Sequence, residues 1–226
     1  MEVLSIFEDY KLAFGIFALI FGVLAALPYH WAIFEGHRPP YSTYIGWFLL
    51  GATGFVFHYQ TISPDDAKWS LLLPAVFVVV PLSYLLVLIF LKAGWLLDKR
   101  DKICLKGIVI SWLIWVVSLL TLPETGYLIA VPLTALVITD AFASWPILQD
   151  AFKGKESATK TKWSWALTFL STTCGLLSVE NPFSLEVVYP GYLFAMMGMI
   201  AACSLFSSSW QKLFSASALP PSSPAE

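Results

Sequence analysis

Long apolar segments follow one another along almost the whole chain. The first covers residues 12–34, and a helix needs roughly 20 residues to cross the hydrocarbon core of a bilayer. Charged residues make up only 12% of the chain, about half of the share near 25% that is usual in soluble domains. The sequence therefore predicts an all-α integral membrane protein. Acidic residues among the first dozen positions argue against a secretory signal peptide, so we expect the first apolar segment to stay in the protein.

Seven transmembrane helices are predicted from these segments, because Gly, Pro and charged residues interrupt the apolar runs. The predicted helices cover 12–34, 41–60, 70–97, 107–122, 127–149, 163–179 and 188–210. Residues 98–106 are predicted to form a charged loop, and the Ser- and Pro-rich residues 215–226 a disordered tail. Pro74 and Pro81 fall inside the third helix, which is long enough to tilt or kink.

Basic residues are distributed unevenly between the two sides of this scheme. Eleven lysines and arginines fall on one side, and only Lys11 and Lys68 fall on the other. Loops with an excess of Lys and Arg stay in the cytoplasm. We therefore expect an N-terminus outside, a C-terminus in the cytoplasm and a location in the plasma (inner) membrane.

One segment of the chain matches an earlier segment when the numbering is shifted by 118 positions. Residues 20–60 and 138–178 share 8 identities in 41 positions without a gap. The identities include one each at Pro, Gly and Trp, and Pro146 falls on Pro28. Proline and glycine set the shape of the backbone, so identities at these residues indicate that the two segments share a backbone shape. The chain is therefore interpreted as one unit present twice.

This repeat divides the chain into parts. The first three-helix unit covers residues 1–97, and the second covers residues 123–210. A charged loop and a connector helix at 98–122 join the units, and a tail follows at 211–226. Because one helix separates two units of three, both units have the same orientation, related by an axis along the membrane normal.

Two stretches carry a family resemblance. Residues 144–157 read SWPILQDAFKGKES, a Pro-containing helix end followed by a Lys/Gly loop and a Ser, and residues 26–42, ALPYHWAIFEGHRPPYS, are a looser copy. With the plan of three, one and three helices, they resemble the PQ-loop superfamily, which includes SWEET sugar transporters, PnuC vitamin transporters and KDEL receptors. The resemblance implies a carrier of a small solute, such as a sugar or vitamin, that alternates access between the two repeats. A receptor or sorting protein, and a membrane subunit without transport activity, are the alternatives on the same fold.

One carboxyl group falls well inside a predicted span. Asp140 has an apolar sequence on both sides, and an ionised side chain at such a depth costs about 2.5–3.5 kcal/mol on insertion scales. It is a candidate for the proton- or cation-linked group of a carrier. The alternative is a protonated Asp that hydrogen-bonds a neighbour on its helix. Ser144 lies one turn further on and shares its face.

Further candidates for the solute or ion pathway are aromatic. Trp47 and Trp165 match each other in the repeat, so a twofold arrangement would place them opposite each other. The alternative is the belt of Trp at the membrane interface. Tyr84 on the third helix and His58 on the second are also candidates, although a single His near an interface is commonly a packing residue.

The remaining expectations concern hinges and partners. Pro28 and Pro146 each remove a helix hydrogen bond at matching positions and are predicted hinges. No nucleophile, metal-ligand set or carboxylate pair can be assembled from the spans, so we expect no enzyme activity, no metal and no cofactor. The expected partners are the lipid bilayer and a small-molecule solute, and a homo-oligomer is left open. The net charge of −2 argues against nucleic acid.

Overall fold

Helices account for nearly all of the described chain. The structure is a computed structural model, and it describes residues 2–61, 71–91, 99–121, 130–153, 159–179 and 187–217. Seven helices occur within these ranges: α1 Glu2–Phe34, α2 Tyr41–Thr61, α3 Leu72–Phe90, α4 Lys99–Thr121, α5 Ala130–Phe152, α6 Thr159–Leu177 and α7 Val188–Ser217. The all-α prediction is confirmed for this part of the chain.

Three helices are long and apolar enough to cross a membrane. Judged by length and composition of the described residues, the candidate spans are Tyr10–Phe34, Leu72–Phe90 and Val188–Phe206. Large apolar side chains also face outward, and those of Phe90 and Leu120 are each 81% exposed, while many hydroxyl groups and several carboxyl groups are buried. Soluble proteins rarely expose large contiguous apolar surfaces. Both observations indicate a membrane protein.

Several helices extend beyond their apolar runs. α1 begins at Glu2, ten residues before the predicted start. α4 begins at Lys99, so the prediction of a charged loop at 98–106 is wrong from residue 99 onward. α6 begins at Thr159 and α7 continues to Ser217, into the predicted tail. The reason is that an apolar run marks only the length inside hydrocarbon, whereas helical hydrogen bonding continues through polar residues until the chain turns.

Other predicted bounds differ less. The predicted α2 at 41–60 agrees with the observed Tyr41–Thr61. α3 ends at Phe90 and is followed by Leu91 in a turn, before the predicted end at 97, while residues 92–97 lie outside the described residues. α5 continues to Phe152, three residues beyond its predicted end at 149, and residues 127–129 of its predicted start lie outside the described residues. The rest of the predicted tail, from residue 218, lies outside the described residues.

Each helix has a small set of principal neighbours. α1 packs mainly against α6 and also against α3, while α2 contacts α3, α5 and α4. α5 contacts α4, α2 and α7, and α6 contacts α7. If α1, α2 and α3 were exchanged with α5, α6 and α7, these principal contacts would stay the same. α4 lies outside this exchange and packs on α5 and α2.

Polar contacts hold the end of α1 against the start of α6. Gly36, just after α1, has φ of 102°, a left-handed conformation that Gly adopts without strain and that ends the helix. Glu35 accepts hydrogen bonds from Lys160 and, at 2.7 Å, from the Trp31 indole. Lys160 also lies 4.9 Å from the Trp31 ring centroid. The hydrogen bond from Lys160, followed by that from Trp31, lowers the pKa of Glu35.

Candidate functional site

Five buried aromatic residues meet in the interior of the bundle. They come from four helices and are Tyr29 of α1, Tyr44 and Trp47 of α2, Tyr84 of α3 and Trp165 of α6. The ring centroids of contacting pairs are 4.9–5.9 Å apart, and most pairs meet edge to face. Favourable aromatic pairs have separations of about 4.5–7 Å. We call these five residues the aromatic cluster.

A cavity lies beside the aromatic cluster, between α1, α2, α3 and α6. The empty space between its lining atoms is about 430 Å³, including the space at its mouth. Its lining is aromatic, aliphatic and hydroxyl-bearing, without a charged side chain among the described residues. A lining that is mainly apolar, with a few polar groups, is typical of small-molecule sites. The lining residues are Gly22, Tyr29, Tyr44, Trp47, Val76, Phe77, Val80, Pro81, Tyr84, Ser164, Trp165, Thr168 and Ser171.

Hydroxyl groups of α6 join this helix to α1 at the edge of the cavity. Ser164 donates a hydrogen bond to the Ala25 carbonyl and Ser171 donates one to the Ala18 carbonyl, each at 2.6 Å. A Cβ at Gly22 would overlap a side chain of α3, so glycine permits the close approach of α1 and α3. Small residues and hydroxyl groups are typical of helix contacts in membranes. They fix the walls of the cavity.

A hydrogen-bond chain connects the cavity wall with a buried carboxyl group. The Trp47 indole Nε1 donates to Ser144 Oγ at 3.1 Å, and Ser144 Oγ donates to Asp140 Oδ1 at 3.2 Å. Asp140 and Ser144 are fully buried and lie one turn apart on α5. Trp47 therefore connects the cavity with α5, because its ring lines the cavity and its N–H group bonds Ser144.

Two tyrosines of α7 face the same carboxyl group. The hydroxyl groups of Tyr189 and Tyr192 interact electrostatically with Asp140. Neither hydroxyl group nor Asp140 Oδ2 has a hydrogen bond of ordinary length and angle with a described residue. The Tyr192 hydroxyl nevertheless makes a weaker hydrogen-bonding interaction with the carboxyl group. Tyr189 also packs on Gly54 of α2, where an added Cβ would lie 3.0 Å from the ring. We call Asp140, Ser144, Tyr189 and Tyr192 the acid cluster.

The residues predicted for the pathway fall into two groups. Trp47, Trp165 and Tyr84 line the cavity. The two tryptophans that the repeat alignment pairs are in edge-to-face contact, with centroids 5.8 Å apart. Asp140 and Ser144 do not line the cavity but lie behind the Trp47 indole.

The other predicted residues belong to neither cluster or lie outside the described atoms. Pro28 and Pro146 are inside α1 and α5, each six positions before the last residue of its helix. His58 belongs to α2, but its side chain lies outside the described part of the structure.

Four tyrosines of the site were missed by sequence reasoning. Tyr29 and Tyr44 belong to the aromatic cluster, and Tyr189 and Tyr192 to the acid cluster. All four lie near the ends of apolar segments, where Tyr is also typical of the interfacial belt. Residue type therefore does not separate a tyrosine that faces the interior from one that faces the headgroups.

Two histidines border the aromatic cluster. The Tyr29 hydroxyl lies 3.2 Å from His37 Nε2, and the His30 ring centroid lies 4.7 Å from that of Tyr84. His30 Nδ1 donates to the Ala26 carbonyl at 2.8 Å, which fixes its ring. Within the described ranges, no three His, Cys, Asp or Glu side chains are arranged to hold a metal ion.

Comparisons of this chain with family models, with curated proteins and with solved structures found no match. Its function must therefore be inferred from the two clusters and the helices that hold them.

Proposed function

We propose that the protein is an integral membrane carrier for a small solute, and that it works by alternating access between two three-helix units, α1–α3 and α5–α7. The position of the cavity carries this proposal. Three helices of the first unit and α6 of the second unit line it, so the cavity lies where the units meet. A site between two units opens first to one side and then to the other when the units rock against each other.

Helix bounds and contacts support a repeated unit. α1 and α5 end at Phe34 and Phe152, and α2 and α6 begin at Tyr41 and Thr159. In both pairs the positions are 118 residues apart, which is the shift of the sequence repeat. The principal helix contacts are also unchanged when the two units are exchanged.

The two interfaces between the units share a register. At the α1–α6 interface, Ser164 bonds the Ala25 carbonyl. The positions related to this pair by the shift of 118 are Gly46 and Ala143, and a Cβ at Gly46 would overlap the Cβ of Ala143. Equivalent residues are therefore in contact at both interfaces, as a twofold relation requires.

The lining favours an uncharged solute. Aromatic faces stack on flat or apolar faces of a ligand, and the oxygen atoms of Ser164, Thr168 and Ser171 have lone pairs that accept hydrogen bonds. A buried anion or cation needs a counter-charge, and the described lining offers none. A sugar, a vitamin-like heterocycle or a similar small metabolite fits this chemistry.

Orientation and hinges complete the proposal. The uneven distribution of basic residues favours an N-terminus outside and a C-terminus in the cytoplasm, in the plasma (inner) membrane. Pro28 and Pro146 would then lie near the cytoplasmic ends of α1 and α5. Each lacks the N–H group that would bond the residue four positions earlier, so the last turns of both helices can swing at equivalent points.

Solute binding to the purified protein in nanodiscs tests the proposal. Sugars, vitamins and amino acids are screened by thermal shift, and a ligand that binds the folded state raises the melting temperature as its concentration rises. Trp165→Leu should abolish this shift, because Trp165 lines the cavity. Trp163→Leu is the matched control on the same helix, since Trp163 is 56% exposed, and it should retain the shift.

Uptake into proteoliposomes then distinguishes a carrier from its alternatives. A solute that binds should be taken up by vesicles containing the parent protein and not by vesicles containing Trp165→Leu. Binding without uptake would favour a receptor or sorting protein. The absence of binding by every class of solute would favour a membrane subunit without transport activity.

A further inference from the structure

The acid cluster is separate from the cavity and needs its own explanation. Asp140 is fully buried, and a buried carboxylate is strongly unfavourable unless it is paired, wetted or protonated. No Lys, Arg or His among the described residues interacts with it. α7 presents the hydroxyl group of Tyr192, and α2 presents the indole of Trp47. The Tyr189 hydroxyl of α7 also interacts electrostatically with the carboxyl group. α4 presents no titratable or charged side chain that interacts with Asp140 among the described residues.

The neighbours of this carboxyl group suit both of its protonation states. In the ionised state, Oδ1 accepts the hydrogen bond from Ser144, and Oδ2 can accept one from a tyrosine hydroxyl. In the protonated state, Oδ2–H can donate to the oxygen of Tyr192. A hydroxyl group both donates and accepts, so the Tyr192 hydroxyl can serve the carboxyl group in either state. The cluster can therefore hold a proton or release it while both oxygens of Asp140 keep a polar partner.

We propose that Asp140 is a proton-binding site, and that Ser144 and Trp47 transmit its occupancy to the wall of the cavity. When a proton binds, Oδ1 belongs to a neutral carboxyl group and accepts the hydrogen bond from Ser144 more weakly. Ser144 Oγ, the acceptor that orients the Trp47 indole, is then held less firmly. Because that ring lines the cavity and contacts Trp165, the shape of the cavity depends on the proton.

Use of the proton by a carrier rests on the proposed function, but proton binding and its transmission do not. Both are measurable without a solute. If no solute binds but the measurements below succeed, the carrier proposal is rejected and the proton site stands. If a solute binds but the measurements below fail, the proton site is rejected and the carrier proposal stands.

Infrared difference spectroscopy over a pH titration tests proton binding. The carbonyl band of a protonated side-chain carboxyl group should be present at low pH and disappear as pH rises. Asp140→Asn should remove this band, whereas Asp150→Asn, which changes a second buried carboxyl group on α5, should retain it. Ser144→Ala removes a donor to the ionised form and should raise the midpoint by about one pH unit. A band that Asp140→Asn leaves unchanged, or no band at all, would overturn the proton site.

Fluorine NMR of protein labelled with 5-fluorotryptophan tests the transmission. The Trp47→Phe and Trp163→Phe variants assign the two signals. The Trp47 signal should shift with pH at the midpoint of the carboxyl band, and Asp140→Asn should abolish this shift. The signal of the outward-facing Trp163 should not follow that midpoint. A Trp47 signal that stays constant through the midpoint would show that the proton is not sensed at the cavity.

Discussion

In the proposed two-unit scaffold, the α1–α6 and α2–α5 interfaces occupy equivalent places but differ in chemistry. At the first, Ser164 and Ser171 donate to backbone carbonyl groups. At the second, Gly46 packs directly on α5, and the neighbouring polar contact joins two side chains, Trp47 and Ser144. The acceptors at the first interface are therefore backbone carbonyl groups, which every helix possesses, whereas both partners at the second are side chains of particular residues.

The two interfaces also differ in whether their polar contacts include a group that titrates. A hydroxyl-to-carbonyl bond contains no group that titrates, whereas the chain at the second interface ends in Asp140. The position equivalent to Asp140 is Gly22, which lines the cavity. One half of the proposed twofold scaffold thus provides space for a ligand where the other half provides a carboxyl group.

Gly46→Val should have the largest effect, because the added side chain would overlap Ala143 and force α2 and α5 apart. Overpacking of this kind costs about 2–3 kcal/mol of unfolding free energy. Gly191→Val is the control, since no atom lies within 4 Å of a Cβ at Gly191, and it should cost less than about 0.5 kcal/mol. Reversible unfolding in mixed micelles measures both. A Gly46→Val variant as stable as the parent would contradict the close contact of α2 with α5.

Ser144→Ala and Ser164→Ala compare the two interfaces directly. Ser144→Ala leaves the Trp47 N–H group and Asp140 Oδ1 without their partner, and we expect a loss of about 2 kcal/mol. Ser164→Ala removes a bond to a backbone carbonyl group that a helix already satisfies, and we expect a loss of about 1 kcal/mol. The same unfolding measurement applies. Equal losses would mean that the interfaces do not differ in the way described.

Replacing the prolines should have a smaller effect, confined to amide exchange in the adjacent turns of α1 and α5. Pro28→Ala and Pro146→Ala each restore one N–H donor inside a helix. A net gain of about 1 kcal/mol per hydrogen bond corresponds to roughly fivefold slower amide exchange in the adjacent turn. Hydrogen–deuterium exchange with mass spectrometry measures this at each helix. Unchanged exchange in both variants would remove the prolines as hinges, and a change that depends on pH only near Pro146 would sharpen the contrast between the interfaces.

The smallest effect is expected at the end of the α1–α6 interface. Lys160 lowers the pKa of Glu35 below its ordinary value of 4.5, so the folded state binds this proton less tightly than the unfolded state does. The pair therefore adds stability above pH 4.5, and the contribution is lost as pH falls through the lowered pKa. Glu35→Gln should melt slightly below the parent at pH 7, and the difference should vanish at low pH and in high salt. Lys160→Gln should behave in the same way, and a difference that persists in acid would exclude the ion pair as its cause.

Apolar length predicted some features of the helices and not others. The end of α1 at Phe34 and the start of α2 at Tyr41 follow from the Gly- and Pro-containing loop between them. The start of α4 at Lys99 was missed, because a run of charged residues indicates a loop when the sequence does not show which residues they contact. Asp101 in its first turn is buried and accepts a hydrogen bond from Ser42 at 2.6 Å. Only the packing of α4 on α2 reveals that partner.

The sequence predicted those contacts of the candidate site that join residues one helical turn apart or residues at matching positions of the repeat. Spacing by one turn predicted the pairing of Asp140 with Ser144, and the repeat predicted that Trp47 and Trp165 would oppose each other. The approach of Tyr192 to the carboxyl group was not predictable, because it depends on how α7 is rotated against α5 and α2. That rotation is set by tertiary packing. In a helix that is hydrophobic on all sides, the periodicity of apolar residues does not indicate which face packs against its neighbours.

The bonds from α6 to α1 also bear on how the protein is made. They join residues 139 and 153 positions apart, whereas α1 packs less closely on α2, its neighbour in the chain, which it meets at Tyr29 and Tyr44. At a synthesis rate of about 5–20 residues per second, roughly ten seconds separate the two helices as they emerge. During this delay the small-residue face of α1 lacks its main partner. A nascent chain that stops before Thr159 therefore lacks the hydroxyl donors that secure its first helix, and insertion of α1 precedes its final packing.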